Sequence, residues 1–139
     1  YGGVAITASG TTAVHALSYP LGGKYHIAHG VSNAMLLIPV MKFNMEDPTF
    51  RKKLAQAYDA SYHGDSIMKT VDEKAAALVE WMEKIVKNLD IPTDLKEFGV
   101  KPEDLEGLVE AGLNQQRLLV NNIRHITAED ARNIYLEVM

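Results

Sequence analysis

The chain has 139 residues, 47% of them apolar and 23% charged, with a formal charge of −4 at pH 7. That length supports one domain with a real core, the composition excludes a disordered chain, and the acidic balance argues against a dedicated nucleic-acid binder. No cysteine is present, which excludes disulfide frameworks, thiolate metal sites and cysteine nucleophiles, and leaves any metal to His nitrogen and carboxylate oxygen.

Residues from about Val4 to Ser18 read as a first helix, which Pro20 is predicted to end by removing an amide donor and disfavouring helix at Tyr19. Gly22 and Gly23 then allow the chain to reverse. A second helix is expected to start soon after His29 and Gly30 and to run through Asn33, Met35 and Leu36. It contains the longest apolar run, Ala34 to Met41, which has eight residues and is far short of a membrane span. With no charged-then-apolar leader ahead of it, the expectation is a cytoplasmic protein that binds neither membrane nor nucleic acid. Met35, Met41 and Met45 read as core filler.

Glu46 and Asp47, completed by Pro48, look like the N-terminal flank of another helix. From Lys74 to Leu89 the apolar residues Leu78, Val79, Trp81, Met82, Ile85, Val86 and Leu89 recur at three- and four-residue steps. Thr70 and Glu73 form a capping box ahead of them, and Pro92 lies beyond the end. A short helix follows Thr93 and stops at Gly99. The next starts near Pro102, with Leu105, Leu108 and Val109 inward and Glu103 and Asp104 at its positive end. The acidic run Glu103, Asp104 and Glu106 reads as a solvated face. Thr127 caps a last helix, with Asp130 in the box position and Ile134, Tyr135 and Val138 as anchors. No alternating strand is found, nor a Gly-rich phosphate loop between strand and helix. The pattern predicts an all-α domain of about six or seven helices, residues 1–139 forming one unit.

The chemistry concentrates in "VHALSYPLGGKYHIAHGVSNA". His15 and His29 stand fourteen positions apart on either side of the predicted reversal, so their rings can converge. Neutral imidazole suits zinc and ferrous iron, yet two histidines near a turn can equally be packed separately. His15 and Tyr19 are four apart and share a helix face. His26 could partner the pair but is more simply a turn residue, while His63 and His125 read as structural or solvent-facing. A catalytic metal needs about three protein ligands and an open position, but no Asp or Glu precedes Glu46. Two ligands are available, and no third. Ser18 lacks a paired base and carboxylate, which argues against a serine hydrolase.

The segment "SGTTAVHALSYPLGGKYHIAHGVSNAMLL" closely resembles the signature of the iron-containing (group III) alcohol dehydrogenases, whose motifs read VHAxxHPLG and, fourteen residues on, HGxxNA. "IPTDLKEFGV" and "LLVNNIRHITAEDARNIY" are similar to that family's C-terminal helices. The resemblance implies a multi-helix bundle of the dehydroquinate synthase-like C-terminal type, with His15 and His29 as metal ligands. It further implies that an Asp and a His four apart, together with the domain that binds NAD or NADP, belong to an N-terminal part absent from this chain. The implied cofactors are a divalent metal, Fe2+ favoured over Zn2+, and a nicotinamide dinucleotide. The implied substrate is a small alcohol or aldehyde, and homo-oligomerisation stays open.

One residue departs from the motif. Tyr19 replaces a histidine that lies near the nicotinamide and is often assigned a proton-transfer role, so the phenol either relays a proton or lines the pocket. Leu17, Leu21 and Val31 are expected to exclude water around the site. The alternatives are a zinc glycerol dehydrogenase, a dehydroquinate synthase-like lyase, and a non-catalytic module in which both histidines are structural.

Overall fold

A computed structural model describes residues 1–61 and 69–139. Among them stand eight α-helices and no strand: α1 (Gly2–Ser9), α2 (Ala13–Tyr25), α3 (His29–Asn44), α4 (Pro48–Ser61), α5 (Val71–Asn88), α6 (Leu105–Leu113), α7 (Gln116–Leu119) and α8 (Ala128–Leu136). The expected helix after Thr93 is a 3₁₀ turn, Leu95–Phe98, and a second 3₁₀ turn, Pro102–Asp104, leads into α6. No helix is long and apolar enough to cross a membrane among the described residues.

The helix starts follow local chemistry. Asp47 accepts from the N–H groups of Thr49 and Phe50 at the start of α4. Thr70 with Glu73, and Thr127 with Asp130, form the two reciprocal capping boxes at α5 and α8. Each satisfies two otherwise orphaned N–H groups. Gly99 closes the first 3₁₀ turn in the left-handed region, with φ 77°.

The first predicted helix is wrong at both ends, and this bears on the site. Gly10 takes φ 72°, so the chain breaks there and α2 begins afresh at Ala13. Pro20, expected to stop the helix, lies inside it, and α2 continues to Tyr25. A proline within a helix costs about 3 kcal/mol. Leu17 and Leu21 on either side are both fully buried, and each such burial contributes about 1.5–3 kcal/mol. Burial wins. Gly22 and Gly23 are consequently helical rather than a turn.

Two hydrophobic cores share α3. Met35, Leu36 and Val40 pack with Leu17, Leu21, Leu108, Ile134 and Tyr135 in one. Ile38 joins Leu54, Tyr58, Leu78, Val79 and Val86 in the other. A helix buried on two sides must be apolar nearly all round, which accounts for the long run through Met41. Met35 is core, and Met41 and Met45 pack against the second cluster. On α5 the predicted apolar face is too wide: Trp81, Ile85 and Leu89 remain exposed, because the helix meets its neighbours on one side only.

Three polar ties fix the ends of α3 and its neighbours. Asn44 and Asn122 exchange reciprocal amide bonds of 3.1 and 2.8 Å. Asn121 donates to the Thr11 carbonyl beside the Gly10 break. Arg124 stacks on Phe43, pairs with Glu46 at 2.7 Å and donates to the Phe43 carbonyl.

Candidate metal centre

His15 lies in the first turn of α2, not near its end, and His29 is the first residue of α3. The reversal that joins them is at 26–28 rather than at Pro20 to Gly23. His26 takes the left-handed conformation, φ 55°. The N–H groups of His26 and Ile27 both turn back to the Leu21 carbonyl. The chain thus retreats along α2 before α3 starts, which carries His29 against Tyr19 and His15. A left-handed cap on a histidine is uncommon, and nothing in the local sequence marks it.

The two imidazoles lie 5.3 Å apart between centroids, tilted by 58°. The Tyr19 ring, one turn on from His15, is 5.9 Å from that of His29. Between the rings stands Asn33, whose Nδ2 is 3.0 Å from His29 Nε2 and 3.5 Å from His15 Nε2. The Nε2 atoms of two helices therefore address one point. Burial first, and the neighbouring His29 second, hold the His15 pKa below its ordinary 6.5. His15 is accordingly neutral at pH 7, the state that can donate a lone pair to a metal.

A cleft of about 320 Å³ opens beside this pair, lined among others by Gly10, Thr12, Val14, His15, Asn33 and Leu37. Val14, Ala34 and Leu37 supply its apolar wall. Leu17 and Leu21, expected in that role, are core residues instead. Sequence reasoning missed Asn33 as a site residue, although its place four residues after His29 was a usable signal.

The donor set fits a metal in part. Two convergent imidazoles suit zinc or ferrous iron, but no group of three or more His, Cys, Asp or Glu side chains that could hold an ion occurs among the described residues. The deficit seen in the sequence persists in space. His26 is exposed and serves as the cap of α2, and His125 is exposed as well. His63 lies outside the described residues.

An all-helical bundle brings the imidazoles of His15 and His29 together from two adjacent helices. The chain belongs to the Fe-containing alcohol dehydrogenase family, whose C-terminal model matches residues 1–139. It is 38% identical over 133 residues to long-chain-alcohol dehydrogenase 1 of Geobacillus thermodenitrificans, a match covering 96% of this chain and 33% of the relative. It is 34% identical over 138 residues to 4-hydroxybutyrate dehydrogenase of Clostridium kluyveri, covering 97% and 35%. Among solved structures, an alcohol dehydrogenase from Oenococcus oeni superposes with a TM-score of 0.76 at 29% identity, over 92% of this chain and 32% of that one. A 1,3-propanediol oxidoreductase shares the fold, with a TM-score of 0.83 at 24% identity over 94% and 33%. The chain spans about a third of the length of these relatives.

Proposed function

We propose that this chain is the metal-binding helical part of an enzyme that interconverts an alcohol and an aldehyde or ketone, with hydride passing to or from NAD or NADP. The observation that carries this reading is the convergence of His15 Nε2 and His29 Nε2 on one point beside an apolar cleft. His15 and His29 would hold a divalent metal, Fe2+ or Zn2+, whose chemistry when bound is to polarise a substrate oxygen.

The protein's own residues do the rest. His15, kept neutral, and His29 offer their lone pairs. Val14 and Leu37 would shield the carbon chain of the substrate from water, in keeping with relatives whose names specify long-chain alcohols and 4-hydroxybutyrate. Tyr19, whose ring lies 5.9 Å from that of His29, would hold or relay a proton at the site through its phenol. The remaining metal ligands and the nicotinamide site are assigned to protein outside this chain.

Two measurements test the reading. Zinc titration of the chain should show weak binding that either His15→Ala or His29→Ala abolishes, since two imidazoles leave a shell half empty. Identical isotherms for wild type and both variants would favour structural histidines. The chain alone should show no NAD(P)-linked alcohol oxidation, and turnover by the purified 139-residue chain would overturn the assignment of ligands elsewhere.

A further inference from the structure

Asn33 sits where the two imidazoles converge, and its amide has an unusual hydrogen-bond account. Nδ2 lies 3.0 Å from His29 Nε2 and 3.5 Å from His15 Nε2. In a tetrahedral shell with bonds of about 2.0–2.1 Å, neighbouring donor atoms stand roughly 3.3 Å apart. The amide nitrogen therefore keeps from each imidazole the separation that another ligand of a shared metal would keep.

The other end of the same amide is buried without a partner: Asn33 Oδ1 has no hydrogen bond. A buried carbonyl oxygen ordinarily finds a donor, and a half-turn of the amide would be the simplest remedy. Here that turn would set Oδ1 against two Nε2 atoms, which works only if both carry protons. It would also strand two N–H donors in place of one acceptor. In the orientation seen, the amide NH2 can donate to either Nε2 only where that atom presents its lone pair, that is, where the ring carries its proton on Nδ1.

We propose that Asn33 is a positioning residue for the metal, its amide NH2 holding His15 and His29 in the Nδ1–H tautomer with both Nε2 lone pairs turned to one point until a metal takes its place. This rests on reading the two histidines as metal ligands. Asn33 is suited to the task because it lies one turn beyond His29 on α3, so the residue that orients the ligands is fixed by the same helix as one of them. An acceptor at this position would select the Nε2–H tautomer, in which both lone pairs needed by the metal are capped.

Long-range proton–nitrogen correlation spectra of the histidine rings, recorded on the metal-free chain above pH 7, test this directly. His15→Gln and His29→Gln assign the signals. Wild type should show both rings protonated at Nδ1 and unprotonated at Nε2. Asn33→Asp, equal in shape but able only to accept, should lose both unprotonated Nε2 signals, and Asn33→Leu should give mixed tautomers. A proton on Nε2 of either wild-type ring, or spectra unchanged in a variant that keeps its dispersed amide signals, would overturn the proposal. If neither variant keeps that dispersion, the wild-type tautomers alone decide. Zinc titration of His15→Ala and His29→Ala separates the two readings, because failure there removes the metal and leaves the tautomers as measured.

Discussion

Tyr19 is the residue at which the motif's usual histidine has been exchanged, and its placement argues for use rather than decoration. It projects from the same face of α2 as His15, its ring lies 5.9 Å from that of His29, and it keeps contact with solvent. A phenol there is placed to exchange a proton with a group bound at the site, whereas a wall residue needs only the ring. In an enzyme of the proposed kind that contains this chain, Tyr19→Phe should lower kcat by roughly 10²-fold, the low end for a positioned proton donor or acceptor. Steady-state kinetics across pH would check this. A rate and pH profile equal to wild type would make Tyr19 a wall residue.

At the scale of elements, the site depends on how closely α2 can approach α6. The approach is set at Gly112, where an added Cβ would lie 2.8 Å from Leu17 Cδ2 and 3.2 Å from the Tyr135 hydroxyl. Neither neighbour can give way easily. Leu17 is fully buried, and Tyr135 donates to the Leu17 carbonyl at 2.6 Å, holding the turn that follows His15. Overpacking costs about 1–3 kcal/mol, against about 1 kcal/mol gained by replacing a helical glycine with alanine. Gly112→Ala should therefore destabilise the chain by about 1 kcal/mol. Gly107, on the same helix with open space around it, should respond oppositely: Gly107→Ala should stabilise by roughly 0.5–1 kcal/mol. Urea unfolding of both variants would decide, and shifts of the same sign would refute the packing argument. The same elements show what a sequence can carry. The capping boxes at Thr70 and Thr127, the start of α4 and the histidine spacing are local signals, and each was legible. Pro20 was misread because its cost is local while the burial of Leu17 and Leu21 that outweighs it is tertiary. Gly10 did announce a break, but the following threonines were absorbed into a helix that ends before them. The fold-back at His26 to Ala28 had no such signal, since a histidine in the left-handed region is selected by what the loop must reach. Convergence of the two histidines was legible; the device that achieves it was not.

Over the whole molecule, ion pairs tie helices distant in sequence around the two cores, and one of them gives a titratable handle. Lys24, in the last turn of α2, meets Asp104 at 2.6 Å just before α6. With Arg132 bidentate on Glu106 at 2.6 and 2.7 Å, this makes two of the three acidic residues in that run anchors of α2 and α8 rather than a merely solvated face. The Lys24 hydrogen bond first, and the Lys101 N–H second, pull the Asp104 pKa from 3.8 to about 2. The same bond to Asp104 raises Lys24 from 10.5 to about 12. The signs follow by linkage. Asp104 is depressed in the folded state, so its contribution is complete above its unfolded pKa and is lost as pH falls from about 4 toward about 2. Lys24 is raised, so its contribution is complete below about 10.5 and is lost as pH climbs toward about 12. Lys24 is exposed and Asp104 half-buried, and the pair is open to screening by salt, so the effect belongs in a titration rather than in a large change of stability. Carboxyl NMR of Asp104 should show Lys24→Met moving its pKa up from about 2 toward, but not reaching, 3.8, because the Lys101 N–H still donates to it at 3.0 Å. An Asp104 titration that ignores the loss of Lys24 would mean that the Lys101 N–H and the Tyr25 hydroxyl set this carboxylate without the ion pair, and that α2 is held to α6 by Gly112 and the core without help from charge.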